Sequence, residues 1–411
     1  MEYERPARGG RGWMIPLVAM SMATGLYASA CSDVAGPGEQ PATQDAAQAA
    51  AETPVAFDQE RIRTAEAAIN RQIELGSFPG AALAVGVRGQ QVHLSGLGKV
   101  GWSDNAEFVD PGRTLYDLAS LTKAVATTTA VMLLVDDGTM GLDDRVSRWV
   151  PEFATGDKST VTIRQLLTHT SGARAGGQNF NMDAPPERIR RYLLTRPLAM
   201  KPGEGVLYSD IGFAVLWTAA ERAAGEPLPR LLERRVWEPL GMRDTRFSPP
   251  RGCGRCAPTL RLSTGEPYAG GSYDEVGRGL DGLAGNAGLF STAADLGRFA
   301  AMMANGGRLG TVRVLREETV RTFLAPQPGA GSFALGWVTY CREGKVKDHV
   351  ACKDVYGIGH TGSTGTALWM DPRTGTWMVL LTNRVYEPRR DIDMTLVRRR
   401  VYERLTGQVQ E

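Results

Sequence analysis

A chain of 411 residues, 42% hydrophobic and 22% charged, has the make-up of an ordinary globular protein rather than a disordered or fibrous one. Its net charge of +2 comes from interspersed acids and bases, with no stripe of Lys and Arg to track a nucleic acid. The length admits two or three domains or one large composite domain.

The N-terminus reads as a processing segment. Arg5, Arg8 and Arg11 make a positive region, Trp13 to Tyr27 is apolar and uncharged, and Ala28-Ser29-Ala30 fits a secretory cleavage site. The apolar part is shorter than the about 20 residues of a membrane span. Residues 1–30 are therefore expected to be a signal. Cys31 follows directly and resembles the lipid-accepting cysteine of a bacterial lipoprotein, although Ala28 stands where such signals usually carry Leu. Residues 31–55 are rich in Ala, Gln, Pro and Gly and read as a flexible tether. The expected location is the cell envelope, periplasmic or held to a membrane by the lipid.

Phe57 to Leu75 has the spacing of an amphipathic helix, and "GAALAVGVRGQQVHLSGLG" reads as two strands around a turn at Gly89-Gln90. A long helical and loop-rich middle follows. It includes "TIRQLLTHTSG", the segment after Tyr208, and "LPRLLERRVWEPLGM". In "STAADLGRFAAMMANGG", Thr292 caps a helix with Asp295 three residues on. Strands return at "FALGWVTY", "STGTALWMD" and "GTWMVLLTN". The last helix, around "VRRRVYERL", reads as having a solvated Arg face. The expected fold is α+β: an antiparallel sheet built from both chain ends (about 56–117 and 283–407), with an inserted, mostly helical part (about 118–282), in one domain over 56–407.

The chemistry centres on "DLASLTKAVATTTAVMLL", where Ser120 and Lys123 sit one helical turn apart. The chain has seven lysines against forty arginines, so a lysine entering a buried helix stands out. A serine hydroxyl needs a base to attack, and a desolvated lysine can titrate where an arginine cannot. Backbone N–H groups at a helix start can also stabilise an oxyanion. The spacing alone is weak, and two other segments strengthen it. "LYSDIGFAVL" carries Tyr208-Ser209-Asp210 before an apolar helix, and a tyrosinate near a lysine can share the base role. "GIGHTGSTGTALWMD" carries His360-Thr361-Gly362 at the expected start of a strand, with Gly357, Gly359 and Gly362 allowing close backbone approach.

These three segments in this order, with "VTIRQLLTHTSG", "PGEGVLYSDIGFAVL", "WEPLGMRDTRF" and "GNAGLFSTAADLGRFA", resemble the β-lactamase-related serine hydrolases. That superfamily includes class C β-lactamases, penicillin-binding proteins, D-amino-acid peptidases, DD-carboxypeptidases and esterases. The resemblance runs from about Phe57 to the last helix. It implies a β-lactamase-like fold and Ser120 as acylated nucleophile, with Lys123 and Tyr208 as the base system. His360 would stand where many relatives have the Lys of K-T-G. The oxyanion hole would come from the N–H groups of Ser120 and Ser363. Asp210, Thr361, Gly362, Gly285, Asn286 and Gly288 would contact substrate, and no cofactor is implied. Asp210 occupies the place of the Asn in Tyr-x-Asn, and is expected near Lys123. A carboxylate there favours the ammonium and desolvation opposes it; if the carboxylate prevails, Lys123 stays protonated and Tyr208 is the proton acceptor.

The reaction expected is acyl-enzyme hydrolysis of a small ester, an amide or a peptidoglycan-derived peptide. The alternatives are a β-lactamase and a non-catalytic module that binds cell-wall peptide or β-lactams. His169 in "LLTHTSG" reads as a structural part of the family's turn. His93, His169, His349 and His360 show no metal spacing. Cys253, Cys256, Cys341 and Cys352, in an exported chain, are expected in disulfides, with local pairing (253 with 256, 341 with 352) preferred. A four-cysteine zinc site is the other reading.

Overall fold

A computed structural model describes residues 55–176, 181–342 and 352–408. The signal, Cys31 and nearly all of the tether lie outside the described residues.

Helix α1 (Gln59–Glu74) starts where the Asp58 side chain accepts the Glu60 N–H, and buries Ile62, Ala65 and Ile69. Strands β1 (Gly80–Val87) and β2 (Gln90–Gly98) form the expected hairpin. Helix α2 (Ala119–Asp136) is long and apolar enough to cross a membrane, yet 83% of it is buried inside the protein, so it is the core helix. Helix α3 (Asp210–Ala224) is capped by the Ser209 side chain, which accepts the Gly212 N–H, and α4 (Ala293–Ala304) by Thr292, which accepts from Asp295. Four further strands follow: β3 (Val338–Cys341), β4 (Val355–Thr361), β5 (Ala367–Met370) and β6 (Thr376–Thr382). Helix α5 (Met394–Thr406) closes the chain.

The six strands form one antiparallel sheet in the order β3-β4-β5-β6-β1-β2. The chain ends therefore meet in its middle, where Leu83 of β1 pairs with Leu380 of β6. Alternation of side chains gives the sheet two buried faces. Ala81, Leu83, Val85, Trp369 and Leu380 pack with α1 and α5. Ala82, Ala84, Leu368, Val379 and Leu381 belong to the larger core shared with α2, α3 and α4. The architecture is the expected α+β arrangement, an antiparallel sheet built from both chain ends with a mostly helical part inserted.

Two local expectations are corrected. His360 and Thr361 end β4 rather than start it. Glycine makes the longer strand possible, since a Cβ on Gly359 would lie 2.1 Å from the Leu368 carbonyl oxygen and could not fit between β3 and β5. The arginine face of α5 is not wholly solvated. Arg398 is buried and donates from Nη2 to the Gly362 carbonyl at 2.6 Å, because that face packs under the end of β4.

Candidate active site

The segment before Ser120 is a constrained turn. The Asp117 carboxylate accepts the Ala119 N–H at 2.8 Å, and Ala119 takes φ +47°, a left-handed conformation that a residue with a Cβ holds only when its surroundings impose it. Helix α2 then opens as a 3₁₀ turn (Ala119–Leu121), passes through a π-helical stretch (Lys123–Thr128) and ends as regular α-helix. Such π-helical stretches are frequent at functional sites. One turn on from Ser120 Oγ, Lys123 Nζ lies 3.1 Å away.

Lys123 is fully buried and has no free donor. Its ammonium donates to Ser120 Oγ, to Asp210 Oδ1 at 2.6 Å and to the Asn286 carbonyl at 3.1 Å. Burial works against the charge. The Tyr208 phenol and the Asp210 carboxylate work for it and prevail, leaving the lysine above its ordinary pKa. Asp210 reaches Lys123 because the Ser209 cap makes Asp210 the first residue of α3, where the helix dipole also favours a carboxylate. Tyr208 precedes the cap. It is 36% exposed, and its ring centroid lies 5.0 Å from Lys123 Nζ.

His360 is buried, and its Nδ1 lies 2.9 Å from the N and O of Thr361. Nε2 has no hydrogen-bond partner among the described residues. Its pKa is pushed down to about 3, by burial first and then by Lys123, with Arg398 adding to the effect. The ring is neutral, and its centroid is 6.4 Å from that of Tyr208. Beyond it the chain folds back on the serine turn. Thr364 Oγ1 donates to the Asp117 carbonyl at 2.7 Å and Thr366 Oγ1 to the Leu118 carbonyl at 3.0 Å. A Cβ on Gly362 would sit 2.2 Å from that same Leu118 oxygen. Ser363 is thereby held beside the start of α2. It borders a cleft of about 490 Å³ with Asp210, Tyr273, Asp274, Arg278 and Met182.

The loop Gly285 to Gly288 does not line that cleft. It is buried behind α2, where the Gly285 carbonyl accepts from Thr127 and the Asn286 carbonyl from Lys123. Both glycines have positive φ, and a Cβ on Gly285 would meet Trp217 at 2.5 Å. The tight turn presses the loop against the helices, so Gly285, Asn286 and Gly288 shape the lysine pocket instead of offering a face to substrate. The cysteines are joined 253 to 256 and 341 to 352.

Sequence reasoning passed over Asp117. Its buried carboxylate accepts from Ala119 and from the Tyr273 N–H at 2.6 Å, tying the serine turn to the cleft wall. Burial, against those two N–H bonds, pushes its pKa up to about 7. The aspartate was visible three residues before Ser120, but its partner Tyr273 is remote in sequence.

The family model described as Beta-lactamase matches residues 65–403. An Escherichia coli K12 protein named "Putative D-alanyl-D-alanine carboxypeptidase" is 29% identical over 380 residues, covering 81% of this chain and 84% of that one. A Bacillus subtilis 168 protein named "N-acetylmuramyl-L-alanine amidase" is 29% identical over 374 residues, covering 81% and 83%. Among solved structures, the octameric penicillin-binding protein homologue from Pyrococcus abyssi superposes with a TM-score of 0.66 at 20% identity, covering 84% of this chain and 77% of that one.

Proposed function

The chain belongs to the beta-lactamase family and is a hydrolase of that family, and we propose that it acts through an acyl-enzyme on Ser120. The observation that carries this reading is the buried Lys123 ammonium, shared among Ser120 Oγ, Asp210 and the Asn286 carbonyl. A buried charge is costly to desolvate, and here it stands within hydrogen-bond reach of the serine hydroxyl.

In the proposed step, Tyr208 acts as the phenolate: Ser120 Oγ forms a bond to the substrate carbonyl carbon while its proton passes to the Tyr208 oxygen. Lys123 stays protonated, so it serves as a fixed charge and donor beside Oγ. The N–H groups of Ser120 and Ser363 receive the oxyanion. The proton then goes to the departing oxygen or nitrogen as the C–O or C–N bond breaks. Water, deprotonated by the same route, cleaves the acyl-serine and releases the acid.

The proposed substrate is a small ester or amide, with a peptidoglycan-derived peptide as the natural candidate because of the names of the relatives. The neutral His360 supplies no charge for a β-lactam carboxylate, which weighs against efficient β-lactamase action. Export through residues 1–30, and anchoring to a membrane through a lipid on Cys31, are part of the same proposal and rest on the sequence pattern. A fluorophosphonate should add once, at Ser120, by intact mass and peptide mapping, and Ser120→Ala should abolish the adduct. Labelling that survives the substitution would refute the assignment. Nitrophenyl esters, D-amino-acid amides, D-Ala-D-Ala peptides and nitrocefin, assayed side by side, would then rank the substrates.

A further inference from the structure

His169 is left without a role by the chemistry above, yet it is held in a costly way. It is a non-glycine residue at φ +59°, buried, in a turn that a glycine would enter without strain. Its contacts converge on one neighbour. The Leu207 N–H donates to the His169 carbonyl at 2.8 Å, and the Ser209 N–H donates to His169 Nδ1 at 3.1 Å. The residues before and after Tyr208 are thus both fastened to His169. The ring itself lies against Tyr208 with centroids 4.5 Å apart, backed by Phe333 at 4.7 Å and Phe213 at 5.1 Å.

We propose that His169 is the positioning residue for Tyr208, fixing the phenol beside Lys123 through this main-chain bracket and ring contact. It is not itself a proton carrier. Nδ1 is occupied as an acceptor, so the proton of the neutral ring sits on Nε2. Burial, then Lys123 and His360, also hold its pKa well below the ordinary histidine value. A left-handed histidine does here what glycine could not. Glycine would satisfy the turn, but it has no ring to set against Tyr208 and no nitrogen to receive Ser209.

The inference rests on the reading of Tyr208 as proton acceptor, and a double-mutant cycle separates the two. His169→Ala should lower kcat on a nitrophenyl ester by about 10²-fold, the scale of a small misplacement of a reacting group, with KM within about twofold. The acid limb of kcat should move to higher pH as Tyr208 drifts from the ammonium. His169→Asn keeps an acceptor near Nδ1 and tolerates left-handed φ. It should regain about tenfold of the loss and restore the limb, and it carries the test if the alanine form does not fold. In a Tyr208→Phe background either substitution should cost less than about twofold. If His169→Ala multiplies the Tyr208→Phe loss by its full factor, or leaves the acid limb in place, His169 acts elsewhere and the inference is overturned while Tyr208 keeps its role. Full activity in Tyr208→Phe alone would overturn both.

Discussion

Lys123 and His360 are both sealed from solvent, and they meet opposite fates. The lysine is held charged and the imidazole neutral. Burial opposes charge in both, so burial does not decide the outcome. Neighbours decide it. Lys123 has a carboxylate at 2.6 Å, while the charged groups acting on His360 are Lys123 and Arg398, both cations. The site thus sets a charged ammonium beside the serine and a neutral ring at the end of β4.

The largest effect should come from keeping the charge at Lys123 and changing its shape. Lys123→Arg should lose about as much activity as Lys123→Ala, on the order of 10²–10⁴-fold. A guanidinium cannot occupy the compact three-acceptor pocket that an ammonium fills. Retention of most of the rate by the Arg form, measured as kcat/KM on an ester, would show that charge alone suffices.

A smaller effect should come from Asp210→Asn. It removes the anion that shares the Lys123 ammonium with Tyr208, so the base system of Lys123 and Tyr208 gives up its proton more easily. The acid limb of kcat/KM should move to lower pH by roughly one to three units. An acid limb that stays put or rises would mean that Asp210 does not set the charge of the pocket.

The smallest effect belongs to His360→Gln. The wild-type ring is already neutral across the working range, so the position of the acid limb should not change. The rate should fall by about fivefold, the worth of one hydrogen bond. Stability should report the ring more clearly. The folded pKa of about 3 lies below the ordinary 6.5, so the unfolded chain takes up the proton first as pH falls. Stability should therefore decline from about pH 6.5 downward, at about 1.4 kcal/mol per pH unit for this one group. His169, also depressed, adds a second contribution of the same sign. Denaturant melts of the Gln form between pH 4 and 6.5 should show a slope shallower by one proton, and an unchanged slope would contradict a buried neutral His360.

Much of this was legible in sequence because local rules sufficed. The Thr292 cap, the β1–β2 turn and the one-turn spacing of Ser120 and Lys123 depend on neighbours in the chain. The expected nearness of Asp210 to Lys123 came from family resemblance, because no local rule joins residues 87 positions apart. What escaped depends on which faces meet. Arg398 looked solvated because its neighbours in sequence are charged, and only packing under β4 buries it. The Gly285–Gly288 loop carries glycines that suit a cleft as well as a pocket wall, and contact with Trp217 decides between them. Asp117 could not be read as a clasp without knowing that Tyr273 arrives beside it.

That clasp also bears on time. The turn that presents Ser120 is completed by Tyr273, Thr364 and Thr366, which follow their partners by 156, 247 and 248 positions. During synthesis the serine emerges long before any of them. Until they arrive, the turn has only the local bond from the Ala119 N–H to Asp117 to hold the strained Ala119 conformation. The growing polypeptide therefore completes this turn only late in its own synthesis.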